Sequence, residues 1–340
     1  MRREIIWVVV IGISFGLIIA FGVWRINSSL NGSKPANPEA TPSSQNPGAE
    51  FKITLSTPED NNVVTASPVT VSGITKPLAW VVISGEKGDY ILQSDEKGIF
   101  TQDVNLEPGT NQIRLTAFDP TGTQSTQKVL VVYSSAFQLK TVTTSTPAGE
   151  ASGDAAIREK VAQKVAAAMN QPKAYLGVVT DITSSTIQIK NPESQIEQIA
   201  AEDGGITVVN AKGTTSKQVK LTDIAIGDFI VAMGYVNGDK VLRAQRILIT
   251  DPLKDAGLSV SIGKVTKTTA KALTVADATK GEESIITPSK NTVIMSFLKG
   301  KTNSIKIAGV KVDDLIIYVT DQSATSPFIR SIFDIGTSQS

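Results

Sequence analysis

The residue types that most often do chemistry are unevenly supplied in these 340 residues. There is no cysteine and no histidine. This removes thiol nucleophiles, disulfides, thiolate- or imidazole-ligated metals and every triad with an imidazole base. Carboxylates, lysines and hydroxyls remain. Paired carboxylates can hydrolyse a glycosidic bond when one is held protonated and the other ionised. The adjacent pairs, Glu202-Asp203, Glu282-Glu283 and Asp313-Asp314, all fall at turns, where acidic residues are ordinary solvated charges. A serine–lysine dyad works without histidine, but Ser216-Lys217 and Ser304-Ile305-Lys306 lie in no Ser-x-x-Lys helix start and read as solvent-facing strand residues. Asp89, Asp95, Asp103 and Asp119 fall in or beside loops of one segment and are candidate calcium oxygens. The Asp-x-Asp-x-Asp-Gly order is absent, and Gly204-Gly205 lacks the Gly-Lys-Ser/Thr context of a phosphate loop. The expectation is a non-enzyme with no catalytic, cofactor-binding or metal-ligating residues and no cofactor.

Charge excludes another class. Thirty-three basic residues face 32 acidic ones, for a formal net charge of +1. A nucleic-acid partner wants a clustered basic surplus and stacking aromatics. Lys299, Lys301, Lys306 and Lys311 do cluster, but they read as edge-strand lysines that block aggregation. Aromatics make up only 5 % of the chain, and Trp80 and Phe100 read as core residues rather than sugar platforms. Abundant Thr, Val, Ile, Ser and Gly suit many short strands joined by turns.

The elements that would carry any site follow from patterning. Ile5 to Val23 is almost unbroken apolar sequence, and about 19 residues at a 1.5 Å rise span roughly the hydrocarbon core. Trp7 and Trp24 flank it. Residues 1–26 are therefore expected to be an uncleaved transmembrane signal anchor touching the bilayer through 5–24. The amino end is placed in the cytoplasm and the bulk of the chain beyond the membrane. Gly12 and Gly16 fit a small-xxx-small face. Pro35, Pro38, Pro42 and Pro47 make 27–50 a disordered tether.

Residues 51–134 show short alternating segments with turns at Asp95-Glu96-Lys97-Gly98, Glu107-Pro108-Gly109 and Asp119-Pro120-Thr121-Gly122, the pattern of a β-sandwich. A linker is expected at 135–153. An amphipathic helix is expected at 154–171, with Ile157, Val161, Val165 and Met169 on one face.

From Leu176 onward the chain repeats at a spacing of about 86 residues. Leu176-Gly177-Val178-Val179-Thr180 matches Ile262-Gly263-Lys264-Val265-Thr266, and Gly227-Asp228-Phe229-Ile230-Val231 matches Asp313-Asp314-Leu315-Ile316-Ile317. Each copy, 173–251 and 257–336, reads as five or six strands, of a size that usually closes into a small OB- or SH3-like barrel. Asn237-Gly238 signals a type I′ hairpin, and Asn191-Pro192-Glu193 opens a short helix over Ser194 to Glu202.

Two resemblances accompany this pattern. Pro68-Val69-Thr70-Val71-Ser72-Gly73, Trp80-Val81-Val82-Ile83-Ser84-Gly85 and Ala117-Phe118-Asp119-Pro120-Thr121-Gly122 resemble bacterial immunoglobulin-like modules. The nearest likeness is to the accessory sandwich of glucodextranase-like surface proteins. The run from Gly177-Val178-Val179-Thr180 through Ile226-Gly227-Asp228-Phe229 to Asn237-Gly238-Asp239-Lys240 resembles a bacterial family of small β-barrels without an assigned function. The second copy departs from it at Asp313 and at Ser323-Ala324-Thr325-Ser326. The resemblances imply folds and an extracytoplasmic setting, and carry no catalytic residue. The functional expectation is a non-catalytic protein that binds, spaces or scaffolds. Its partner is an envelope glycan or a protein, as a wall-binding surface protein or a subunit of a membrane complex; a carboxylate-based hydrolase is the remote alternative.

Overall fold

A computed structural model describes residues 51–119, 122–139, 171–202, 205–213, 215–255, 257–298, 300–323 and 326–337. All lie in one compact unit, Glu50–Ser340. The first module contributes β1 (Thr54–Thr57), β2 (Asn62–Val64), β3 (Val69–Ile74), β4 (Trp80–Gly85), β5 (Gly88–Gln93), β6 (Ile99–Val104), β7 (Gly109–Phe118) and β8 (Gln124–Tyr133). A small sheet, β1-β3-β6, faces the strands β2-β8-β7-β4-β5 across a core of Val71, Val81, Ile83, Phe100, Ile113, Leu115 and Val131. Period-two alternation puts those residues on one face. The other face of the larger sheet is also apolar, with Val82, Ile91, Phe118 and Val132 buried.

That second face is where both repeats dock. The first copy comprises β9 (Lys173–Ile182), β10 (Thr186–Lys190), β11 (Ile196–Ala200), β12 (Thr207–Asn210), β13 (Lys217–Val219), β14 (Phe229–Val236) and β15 (Leu242–Thr250). The second comprises β16 (Leu258–Thr268), β17 (Leu273–Asp277), β18 (Glu283–Ile286), β19 (Val293–Leu298), β20 (Lys301–Ser304), β21 (Asp314–Asp321) and β22 (Phe328–Thr337). In each, one short 3-10 turn precedes the second-to-last strand, at Leu221–Asp223 and Ile307–Gly309.

Interior residues recur at the repeat spacing: Val179, Ile187, Ile189, Ile224 and Ile230 in the first copy, and Val265, Leu273, Val275, Val310 and Ile316 in the second. Docking residues recur too. Ala174, Leu176, Val231 and Met233 pack on Val63, Val132 and Phe137. Their counterparts Val260, Ile262, Ile317 and Val319 pack on Val82, Ile91 and Phe118. The duplicated unit therefore uses the same face twice on one sheet.

Several expectations are corrected. The described residues contain no α-helix, and none forms a helix long and apolar enough to cross a membrane. The anchor at 1–26, with its bilayer contact at 5–24, lies outside the described residues, as do the tether at 27–50 and all but the last residue of the helix expected at 154–171. The single-pass membrane placement is accordingly not retained. The short helix expected over Ser194 to Glu202 is instead β11, paired antiparallel to β10 with Ile187 opposite Ile199. Part of the expected linker, Phe137, is buried against Tyr235, with ring centroids 6.1 Å apart.

The self-contained sandwich and two closed barrels are also overturned. The larger sheet runs through β2 into β9 of the first copy, where Asn62 pairs with Lys173. In that copy β14 pairs with both β9 and β15, and β11 reaches β15 through two residue pairs, but β12 and β13 extend outward from β15. The second copy is an open path, β18-β17-β16-β21-β22-β19-β20. Counting back from the equivalent bulges at Gln245 and Arg330, Pro327 takes the place of Leu242, which pairs with Ile199 in the first copy. Proline has no N–H for a ladder bond, and Pro288 follows β18, so both lips of the seam are blocked.

Candidate functional site

The residues singled out for chemistry do not converge. Asp95 Oδ1 accepts the backbone N–H groups of Lys97 and Ile99 at 2.8 and 2.7 Å, closing its own turn. Asp103 accepts the Thr70 hydroxyl at 2.7 Å. Asp119 pairs with Lys76 at 3.0 Å and accepts from the Thr123 N–H. Asp89 lies elsewhere, buried against the second copy. No acidic group of three or more among the described residues is placed to hold a metal ion. Asp313 pairs with Lys264 at 2.8 Å, while Asp314 turns inward and accepts the Lys311 N–H at 2.7 Å, so the adjacent carboxylates diverge. Glu282 and Glu283 are exposed, as are Ser216, Lys217, Ser304 and Lys306. Lys301 and Lys311 are exposed as well. Phe100 is core, and Trp80 meets Phe297 edge-on with centroids 4.8 Å apart.

The site that does form lies where three stretches of chain meet. A cleft of about 630 Å³ is lined by Asp60, Asn61, Gln112 and Lys128 from the first module. Asn191, Glu193, Gln195 and Glu197 from the first copy and Leu253 and Asp255 from the segment joining the copies complete its wall. Leu130, Leu176 and Leu253 give it an apolar floor.

Each wall is fixed locally. Asn61 sits in the left-handed region at φ 59°, a conformation asparagine tolerates better than most side chains. There its N–H donates to the Leu130 carbonyl and its own carbonyl accepts the Ala174 N–H, both at 2.8 Å. The left-handed turn thus splices the first module to β9. Asp60 caps the Leu130 N–H at 2.8 Å, and Lys173 reaches Glu59 at 2.6 Å.

On the opposite wall, Asn191 Oδ1 accepts the Gln195 N–H at 2.8 Å and its Nδ2 donates to Glu197 Oε1 at 3.1 Å. Partial burial pushes the Glu197 carboxyl above its ordinary range; the Asn191 amide opposes this and the nearby Glu193 charge adds to it. Burial, with the Glu197 charge, also raises Tyr175, whose hydroxyl donates to the Lys240 carbonyl at 2.8 Å. The hairpin at that point is not type I′: Lys240, not Gly238, takes the left-handed conformation, and Asn237 Oδ1 caps the N–H groups of Asp239 and Val241.

The third wall is a strap. Asp255 receives Lys128 at 3.0 Å and Arg114 at 3.4 Å, and Gln112 donates to the Lys254 carbonyl at 2.8 Å. The Lys128 hydrogen bond, then the Gly257 N–H, hold the Asp255 carboxyl below its usual range. Sequence reasoning did not find this site. Its residues come from segments far apart, and only Asn191-Pro192-Glu193 carried a local signal, which read as a helix start.

No protein-family model matches the chain, and no curated protein matches it. Among solved structures, it is similar to a multidomain protein with nucleic acid binding domains from Streptococcus pneumoniae, at 12 % identity and a TM-score of 0.14. That match takes in 48 % of this chain and 45 % of the other, so the chain spans less than half the length of that protein. A tetra-tandem repeat from the extending region of a large adhesion protein matches at 14 % identity and a TM-score of 0.22, covering 84 % of this chain and 74 % of that one. A bacterial ice-binding adhesin matches at 12 % identity and a TM-score of 0.19, covering 84 % and 96 %. TM-scores and identities this low carry neither fold nor function from those proteins to this one.

Proposed function

We propose that the protein is a non-catalytic binding and scaffolding protein, and that its junction cleft takes a neutral saccharide. The cleft itself carries the reading: side-chain amides and carboxylates ring an apolar floor. Asn61, Gln112 and Gln195 supply donors and acceptors, and Glu193 and Glu197 supply acceptors, a mixture suited to adjacent hydroxyls. The leucines face the C–H side of a sugar ring. Four carboxylates against Lys128 disfavour acidic glycans and nucleic acid. Pockets of a few hundred Å³ with convergent polar groups are the usual form of a small-ligand site.

The compact unit, residues 50–340, is incubated with insoluble neutral polysaccharides and, separately, with protein-bearing cell material before and after protease treatment. Retention on polysaccharide that survives protease and falls at least tenfold in Glu197→Gln or Asn61→Ala is the expected result. Retention abolished by protease would replace the saccharide with a protein partner. Failure to bind any polysaccharide would overturn the ligand assignment.

A further inference from the structure

The two copies stand on one platform sheet, the larger sheet of the first module, but they differ in charge. Residues 257–336 hold 10 basic and 7 acidic side chains, whereas residues 173–251 hold 8 and 9. The excess gathers at one end of the second copy. Lys264 and Lys267 lie on β16, Lys271 in the β16–β17 turn, Lys306 beside the turn at Ile307–Gly309 and Lys311 before β21. All five are exposed. Hydrogen bonds bring their segments together. The Thr268 hydroxyl donates to the Val310 carbonyl at 3.2 Å, and the Asp313 N–H donates to the Val265 carbonyl at 2.9 Å. The Ala272 carbonyl accepts the Thr269 N–H at 2.9 Å and closes the turn that carries Lys271. The aligned residues of the first copy are Val178, Asp181, Ser185, Lys220 and Ala225. Four of the five lysines therefore belong to the second copy alone, although both copies share one bulge, at Thr180 and Thr266.

Edge protection does not account for Lys264 and Lys267, because β16 is flanked by β17 and β21. Carboxylates answer the cluster only in part. Asp313 pairs with Lys264 at 2.8 Å, and the Lys311 charge acts on buried Asp334. Lys267, Lys271 and Lys306 have no ion pair among the described residues. We propose that this end of the second copy is a docking surface for a linear, phosphate-bearing polymer. The cluster contains lysines and no arginine. Compact point charges suit phosphate oxygens, whereas planar carboxylates are matched best by a guanidinium fork. Residues 262–273 and 305–315 contain no aromatic side chain on which a nucleic-acid base could stack. Val312 is the only large apolar side chain exposed there, whereas a bilayer interface takes Trp, Phe or Leu. The surface is separate from the cleft, none of whose lining residues belongs to the second copy.

The test is binding of residues 50–340 to labelled inorganic polyphosphate, read by fluorescence anisotropy across a salt series. Expected is an affinity that falls with salt at a log–log slope of roughly 3–4, near the number of lysines engaged. Lys267→Asp, Lys271→Ser and Lys311→Ala together install residues that the first copy already carries at those places. That triple variant is expected to lose at least tenfold in affinity, and Lys271→Ser alone, in an exposed turn, severalfold. Lys217→Ser with Lys220→Ser, in the first copy, should leave binding unchanged. Salt-independent binding, or full affinity in the triple variant, would overturn the proposal. Equal affinity for polygalacturonate would remove the phosphate assignment. Capture by phosphatidylglycerol vesicles without polyphosphate binding would overturn it in favour of a membrane surface.

Discussion

Gly177 and Gly263 occupy the same place in the two copies. A Cβ at Gly177 would lie 2.3 Å from the Lys190 carbonyl oxygen, and at Gly263 it would lie 2.5 Å from Val275 Cγ1 and 2.6 Å from the Ala276 carbonyl. Neither contact can be relieved by turning a flexible side-chain end. Gly177→Ala is predicted to cost about 1–3 kcal/mol, the usual range for an added methyl in a packed site. Gly205→Ala, with nothing within 4 Å of the added carbon, is predicted to cost almost nothing. Urea unfolding of residues 50–340 distinguishes them, and equal costs would refute the close-approach account. The glycines were legible as repeat markers because they recur in register. The cleft residues were not, because the walls come from segments far apart, as when Asn61 joins Leu130 to Ala174. Asn191-Pro192-Glu193 misled for a physical reason. Asparagine before proline caps a turn as readily as a helix, and with Ser194 in the left-handed region at φ 66° the chain folds back into a hairpin.

At the scale of elements, the strap between the copies is pinned by the Asp255 carboxylate and the Gln112 bond to the Lys254 carbonyl. Asp255 is largely exposed, so its ion pairs are screened and individually weak. Their position gives them leverage, since they pin the segment to β7 and β8 at one wall of the cleft. Because the Asp255 carboxyl is held below its ordinary range, its contribution is fully present above that range and is lost as pH falls through the lowered value. Asp255→Asn is predicted to raise hydrogen exchange in the strap severalfold at neutral pH, an effect that about 1 M salt imitates in the wild type by shortening the Debye length. No change in strap exchange on substitution would place the restraint in the Gln112 bond alone. Most strands of each copy were readable from alternation and turn signals, five or six being expected against the seven present among the described residues. Closure was not, because it depends on whether β11 or β18 finds a partner across the seam, and Pro327 acts there through a missing N–H rather than through any local pattern.

For the whole molecule, the platform sheet is the element that cannot stand alone. Its strand β4 is buried on both faces: Val81 and Ile83 face the first module's core while Val82 faces the second copy. The covering was not legible in the sequence, because the covering residues look like interior strand residues of the repeat. Trp80, Val82, Ile91 and Phe118 all meet the second copy, and burying such side chains contributes about 1.5–3 kcal/mol each. Those contacts should couple the module and the copy into one unfolding transition. A chain ending at Asp255 is therefore predicted to melt at least several degrees lower than residues 50–340 and to bind a hydrophobic dye in its folded state. Replacing the outward pair, Val82→Thr with Phe118→Thr, should remove most of the dye binding without restoring the lost melting temperature, because the substitutions hide the exposed surface but do not replace the missing contacts. Two separate transitions in the intact unit, with the first module melting at the same temperature whether or not the second copy is present, would show that the copies sit on the sheet without stabilising it.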